Sequence, residues 1–110
     1  MGTDNSVIRG TLDMLILKLL SLGPHHGWGI SERIAAFSSD ALKVQQGSLY
    51  ASLHRLTREG WIRSYWGDTE HARRARYYAL TKAGERQLMV ETDHWVRLAA
   101  GVTRIMALTS

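Results

Sequence analysis

The sequence contains no cysteine and one proline, and each scarcity excludes a class of protein. Without cysteine the chain can form no disulfide, no thiolate nucleophile and no Cys-ligated zinc or iron–sulfur site. A single proline and an apolar fraction of 45% exclude a largely disordered chain. The length of 110 residues fits one domain and is too short for two ordinary ones.

Long apolar runs are also missing. The apolar segment 12–22 is about eleven residues long and contains Asp13 and Lys18, whereas a membrane-spanning helix needs about twenty apolar residues. The first six residues have neither the basic start nor the small-residue cleavage site of a secretory signal. We therefore expect a cytoplasmic protein with no membrane partner.

No pattern typical of catalysis or metal binding is present. The sequence has no paired-carboxylate motif, no phosphate-binding glycine loop and no Ser-His-Asp context. Its histidines are scattered and lack the i, i+4 pairing with a carboxylate that a helical zinc site requires. They are His25, His26, His54, His71 and His94. We expect no metal, no cofactor and no enzymatic activity.

The net charge of +4 lies entirely in the central third of the chain. Residues 43–76 contain seven basic and three acidic residues, whereas the two flanking segments together sum to zero. A local excess of positive charge of this kind favours a polyanionic partner that contacts this segment.

Apolar spacing predicts three helices in the first 60 residues. The first runs from about Thr11 to a stop at Gly23-Pro24, the second spans residues 27–37, and the third begins at 46–48 and ends near Glu59. The link before the third helix is too long for a simple helix-turn-helix turn. Its segment 42–44 could form a very short strand.

The third helix carries a polar and mildly basic face that suits insertion into a groove. Tyr50, His54 and Arg58 share this face at i, i+4 and i+8. Glutamine can pair with adenine, arginine with guanine, and hydroxyl groups with phosphates. The alternative is an ordinary solvated helix face, with Tyr50 partly in the core. The candidates for groove contact are Gln45, Gln46, Ser48, Tyr50, His54 and Arg55.

A β-hairpin is predicted after the third helix. Residues 61–66 alternate apolar and polar side chains, residues 76–80 are rich in tyrosine, and residues 67–71 form a loop between them. The returning strand begins with Arg73, Arg74 and Arg76, which we expect to contact phosphates rather than merely to solvate a strand end. A helix followed by such a hairpin is the layout of a winged helix. The predicted fold is therefore mainly α with a small antiparallel β-wing.

A long C-terminal helix follows, capped by Thr81 and continuing to about Leu108. At 1.5 Å per residue it would extend roughly 40 Å, beyond the body of so small a domain. An apolar stripe without an intramolecular partner favours a symmetric homodimer. We divide the chain into a winged helix-turn-helix domain, residues 1–80, and a dimerisation helix, residues 81–110. The expected interface residues are Leu88, Trp95, Ala99, Val102 and Met106.

Several sequence blocks together resemble those of PadR-family transcriptional regulators. The blocks lie within residues 10–84 in the family's order. The resemblance implies a winged helix-turn-helix, a dimerisation helix and repression through operator binding, with the third helix in the major groove and the wing on the backbone or minor groove. The blocks are GTLDMLIL (10–17), HGWGI (26–30), GSLY (47–50), LHRL (53–56), EGWI (59–62), WG (66–67), RRARYY (73–78) and LTKAG (80–84).

Trp95 is a candidate for binding an effector. In a two-fold dimer a seam tryptophan meets its own copy, and two rings can sandwich a planar aromatic molecule. Drug-sensing PadR members are similar, with an aromatic-lined cavity between subunits. The alternative for Trp95 is a purely structural seam residue. The alternative for the whole chain is a winged-helix protein–protein interaction module that does not bind DNA.

Overall fold

The structure, a computed structural model, describes residues 5–110, with side chains from residue 10 onward. Along these residues four helices and a three-stranded antiparallel sheet follow one another. This architecture confirms the predicted fold class. The elements are α1 (Asn5–Ser21), β1 (His25–His26), α2 (Gly27–Phe37), α3 (Gln46–Arg58), β2 (Ile62–Asp68), β3 (Arg74–Leu80) and α4 (Lys82–Met106).

The helix boundaries follow the predicted stop and cap signals closely. α1 begins at Asn5 rather than near Thr11, and the helix continues through Gly10. Thr81 is the N-cap of α4, and its hydroxyl oxygen accepts a hydrogen bond from the backbone N–H of Gly84 at 3.0 Å. α4 ends at Met106, two residues earlier than expected.

One hydrophobic core joins α1, α2, α3 and the base of the sheet. The apolar faces of the three helices meet there, as their three- and four-residue spacings require. The core continues onto β2 and β3. Its buried members are Leu12, Ile16, Leu17, Leu19, Leu20, Ile30, Ile34, Leu49, Leu53, Leu56, Ile62 and Tyr78.

β2, the loop 69–73 and β3 form an antiparallel hairpin that we call the wing. Its pairing runs from Ile62 opposite Leu80 to Asp68 opposite Arg74. Each strand therefore extends two residues further towards the tip than predicted. Gly67, predicted in the loop, lies within β2 opposite Ala75. A β-carbon at this position would be only 2.8 Å from the ring of Tyr77, so glycine suits it.

The prediction of a short strand at residues 42–44 is wrong. This segment is irregular, and Val44 packs its side chain against the core. The third strand is instead β1, in which His25 and His26 pair with Tyr78 and Tyr77 on the outer edge of β3. In the sheet order β1-β3-β2, β1 therefore lies beside β3 on the side opposite β2.

α4 extends well beyond the core. The molecule measures 59 × 29 × 23 Å, and its radius of gyration of 15.4 Å exceeds the value of about 13 Å typical of a compact domain of this length. Gly84, in the first turn, is the buried residue of this helix. None of the helices in the described part of the chain is long and apolar enough to cross a membrane.

Candidate nucleic-acid interface

A groove of about 310 Å³ separates α3 from the wing. On the helix side it is lined by Tyr50, His54 and Arg58, the three residues that the helical spacing predicts on one face. On the strand side it is lined by Ser64 and Arg76. The fold thus brings a polar helix face and a basic strand together around one opening.

The orientation of α3 follows from its buried side. Leu49, Leu53 and Leu56 are buried in the core, so the opposite side of the helix faces solvent. Tyr50 lies at the margin, and its ring packs over the start of α2. A β-carbon at Gly27 would lie 2.6 Å from the Tyr50 hydroxyl oxygen, so a larger residue there would displace the ring.

The N-terminal end of α3 presents short polar side chains. Gln45, Gln46 and Ser48 are all exposed there. The amide nitrogen Nε2 of Gln46 donates a hydrogen bond to the hydroxyl of Ser31 on α2 at 3.3 Å. Gln45 is the N-cap but makes no side-chain capping bond, so its amide group is available to a partner.

The structure does not place Arg55 with the other candidates. Its guanidinium Nη2 donates to Oδ1 of Asp13 on α1 at 2.5 Å and to Oγ of Ser52 at 3.1 Å. Five residues beyond Tyr50, the side chain is rotated by about 140° around the helix axis, away from the groove. Arg55 is therefore corrected from a surface candidate to a half-buried member of an interhelical ion pair.

The wing arginines are organised by a tryptophan that our sequence reading did not include among the candidates. The guanidinium carbons of Arg74 and Arg76 lie 5.5 and 5.0 Å from the ring centre of Trp66, within cation–π range. Arg76 Nη1 also donates to Oγ of Ser64 at 3.2 Å. Strand alternation could have revealed this cluster, because these residues share one face of the hairpin.

Arg73 lies at the tip of the wing. Its carbonyl oxygen accepts from the backbone N–H of Thr69 at 2.8 Å, and its own N–H donates to the Thr69 hydroxyl at 3.3 Å. Ala72 just before it has a positive φ of 59°, which completes the tight turn. The backbone of the tip is thus held while the Arg73 side chain remains exposed.

The opposite face of the wing is stiffened by aromatic contacts. The rings of Tyr65 and Tyr77 stack with centroids 5.7 Å apart, and His26 meets Tyr77 edge-on at 5.5 Å. Arg63 lies over Tyr65 at 5.5 Å. His26 also caps α2, because its Nδ1 accepts from the backbone N–H of Gly29 at 3.1 Å. His26 therefore contacts both the wing and the start of α2.

The distal part of α4 exposes apolar side chains. Trp95, Val102 and Met106 are exposed and Ala99 is half-buried. Leu88, the fifth predicted interface residue, is instead packed against the core of its own chain, because the first turns of α4 lie on α1. The available stripe therefore begins at Trp95 and runs towards the C-terminal end.

A cleft of about 260 Å³ lies between α1 and α4 beside Trp95. Its lining is mostly apolar, with Met14 and Leu98 facing Trp95, and Glu91 and His94 at its margin. In the part of the chain that the structure describes, no group of three His, Asp or Glu side chains is arranged to hold a metal ion.

Comparisons with known proteins agree with this geometry. A transcriptional regulator from Clostridium thermocellum has a similar structure, with a TM-score of 0.81 and 29% identity over 97% of this chain and 100% of that one. A PadR family transcriptional regulator from Eggerthella lenta gives a TM-score of 0.77 and 27% identity over 94% of this chain and 88% of that one.

Sequence comparison leads to the same group. An uncharacterized protein of Lysinibacillus sphaericus is 29% identical over 94 residues, which is 86% of each chain. Residues 16–90, from the middle of α1 to the first turns of α4, match the "Transcriptional regulator PadR-like family". This match covers more than half of the chain and includes α3 and the whole wing. The chain therefore belongs to the PadR-like family of transcriptional regulators.

Proposed function

We propose that this regulator binds double-stranded DNA as a homodimer and represses transcription from an inverted-repeat operator. PadR-family regulators bind DNA. The observation that carries the proposal for this chain is the cluster of Arg74, Arg76 and Trp66 beside the exposed face of α3. Two guanidinium groups held next to a polar helix match a phosphate backbone that flanks a groove.

The proposed contacts divide between the helix and the wing. α3 enters the major groove, where glutamine amides and the imidazole of His54 reach base edges and the hydroxyls of Ser48 and Tyr50 reach phosphates. Arg73, Arg74 and Arg76 contact the backbone beside that groove. Arg58 joins the helix set because it lines the groove, whereas Arg55 leaves it. The proposed helix contacts are Gln45, Gln46, Ser48, Tyr50, His54 and Arg58.

The proposed dimer forms along the exposed stripe of α4. Trp95, Ala99, Val102 and Met106 would pack against the same residues of a second copy and remove them from water. A two-fold axis through this helix places two copies of α3 on one side of the dimer. Their target is then two half-sites about one helical turn apart, which is why we expect an inverted repeat.

An effector site is proposed in the α1–α4 cleft next to Trp95. The cleft is close to the lower limit of about 300 Å³ for small-molecule sites, and a second subunit across the stripe would enlarge and close it. Its apolar lining and indole ring suit a planar aromatic molecule. Binding there would act on α4 and thus on the distance between the two α3 helices.

The decisive experiment measures how DNA binding depends on salt. Binding to a fluorescein-labelled duplex of random sequence is followed by anisotropy at several salt concentrations, for the wild type and for Arg74→Ala with Arg76→Ala. Each lost phosphate contact lowers the slope of log K against log salt by about 0.9, so the double variant is expected to lose about 1.8.

The matched control removes the same charge elsewhere. Arg97→Ala with Arg104→Ala takes two exposed arginines from α4 and should leave the slope unchanged. An unchanged slope in the wing variant contradicts the proposed phosphate contacts. Absence of wild-type binding even at low salt would favour a protein–protein interaction module instead.

A further inference from the structure

A half-buried ion pair links α1 to α3 outside the proposed DNA surface. The Asp13 and Arg55 side chains are 14% and 25% exposed, and their charged atoms are 2.5 Å apart. Arg55 also binds Ser52, whose side chain is buried in the core. The Nη2 nitrogen of Arg55 thus donates to two partners, whereas Arg58, one turn further along α3, is exposed.

The same carboxylate also faces α4. Glu91 of α4 is close enough for its negative charge to raise the pKa of Asp13. Glu91 accepts a hydrogen bond from Nε2 of Gln87 at 2.8 Å and lines the cleft beside Trp95. The charged groups that face Asp13 are therefore Arg55 from α3 and Glu91 from α4. The carboxylate of Asp13 on α1 thus interacts electrostatically with both other helices.

Arg55 offsets only part of the cost of burying the Asp13 carboxylate. Burial raises the pKa of Asp13 above its ordinary value of 3.8, and this effect exceeds the lowering by Arg55. A carboxyl group with a raised pKa in the folded state contributes stability below pH 3.8, and that contribution is lost as the pH rises through the folded-state pKa. Ionisation of Asp13 is thus less favourable in the folded chain than in the unfolded one, although Arg55 lies beside it.

We infer that Arg55, held by Asp13, is a positioning residue that fixes α3 relative to α1 and α4 and thereby sets which half-site spacing the dimer accepts. The inference rests on the proposed function. α1 packs against both α3 and α4, so α3 and the proposed dimer axis are connected through α1. Leucine contacts alone permit small rotations of α3, whereas an ion pair with a fixed partner specifies one orientation.

The test compares three variants with an arginine control on the same helix. The variants are Asp13→Asn, Arg55→Gln and the two combined, and the control is Arg58→Gln. Two duplex probes are used: a site selected by the wild type from a random pool, and the same site lengthened by one base pair between its halves. The salt slope is measured separately on a duplex of random sequence.

We expect each single variant to reduce the preference for the selected spacing about tenfold, and the double variant to be no worse than either single one. The salt slope on random duplex should stay at the wild-type value in all three. Arg58→Gln should do the reverse, with a slope lower by about 0.9 and an unchanged spacing preference.

Two results would overturn the inference. A lower salt slope in Arg55→Gln with normal behaviour of Asp13→Asn would make Arg55 a DNA contact. Unchanged spacing preference in both single variants would make the pair irrelevant to binding. If Arg55→Gln does not fold, Asp13→Asn decides alone, since it removes only a charge. Failure of the wild type to bind any duplex would contradict the proposed function itself.

Discussion

Two tryptophans in two regions of this molecule show how neighbours give one residue type different roles. Trp66 on the wing is 56% exposed and has guanidinium groups within 5.5 Å of its ring. Trp95 on α4 is 43% exposed and lies among apolar side chains at the edge of a cleft. Similar exposure thus accompanies a cationic surface in one region and an apolar one in the other. The surroundings, rather than exposure, distinguish the proposed nucleic-acid surface from the proposed subunit interface.

The two regions also differ in how their charges are compensated. The ion pairs among the described residues are Asp13–Arg55 in the body and Asp93–Arg97 on α4. Three arginines of the wing, Arg63, Arg74 and Arg76, form neither and instead lie over aromatic rings. A guanidinium over a ring keeps its full charge, so the wing remains available to an anionic partner. In α4, by contrast, four basic residues are accompanied by three acidic ones, and Arg97 is paired with Asp93.

The largest predicted effect is a loss of stability at Gly84, where the first turn of α4 packs against the start of the wing. A β-carbon at Gly84 would overlap the carbonyl oxygen of Trp61 and lie 2.7 Å from the Leu80 side chain. Gly84→Ala should therefore lower the free energy of unfolding by about 2–4 kcal/mol, as measured by urea denaturation. Gly101→Ala is the control, because open space surrounds Gly101 and alanine is the better helix former; it should gain about 0.5–1 kcal/mol. Equal effects at both sites would contradict the close packing of Gly84.

The next prediction separates the regions by placing a charge on the exposed α4 stripe. Val102→Glu should raise the dimer dissociation constant at least about a hundredfold, because an unpaired carboxylate would be buried at the seam. Sedimentation velocity measures the change. Ala100→Glu, about 200° away around the helix, should remain dimeric. If both variants stay dimeric, the proposed interface is wrong.

A smaller effect is expected from the wing tryptophan. Trp66→Ala should weaken binding to random duplex about fivefold with an unchanged salt slope, because both arginines keep their charge but lose the ring that orients them. Trp66→Phe should restore part of the affinity, since phenylalanine retains a π-face. Anisotropy titrations measure both variants. A lower slope in Trp66→Ala would mean that the ring acts in some way other than by orienting the arginines.

The smallest predicted effect is the loss of stability at acidic pH caused by His25, which pairs with β3. Burial lowers the pKa of His25, and Arg33 and His26 lower it further. A histidine with a lowered pKa in the folded state opposes protonation, so stability falls as the pH drops below the unfolded-state value of 6.5. Urea midpoints between pH 7 and pH 5 should therefore fall more for the wild type than for His25→Asn. An equal fall of the urea midpoint in both proteins would contradict a lowered pKa of His25 in the folded state.

Most of the fold could be predicted from local patterns. Apolar spacing and caps placed all four helices, and Thr81 is the cap that the sequence indicates. β1 could not be predicted, since a strand of two residues has no periodicity and exists only because it pairs with the edge of β3. The local pattern predicts Gly67 in the turn, because the Tyr77 ring that lies against it in the strand is ten residues away in sequence.

The site was predictable where it depends on one element and unpredictable where it depends on two. Helical spacing grouped Tyr50, His54 and Arg58 on one face, and the structure places all three around one groove. The same spacing does not predict the position of Arg55, because its partner Asp13 is 42 residues away in sequence. The sequence also does not separate Leu88 from the exposed stripe, since the apolar stripe of α4 continues without a break from the chain's own core to the exposed surface.

In the proposed dimer, α4 would act as a lever that starts from the contact of Gly84 with Trp61. The helix spans 25 residues, so its length is about 37 Å and a rotation of about 5° at the pivot displaces the far end by about 3 Å. Such a displacement approaches the rise of one base pair. In that dimer, small changes in packing at the first turn of α4 would become larger differences in the distance between the two α3 helices.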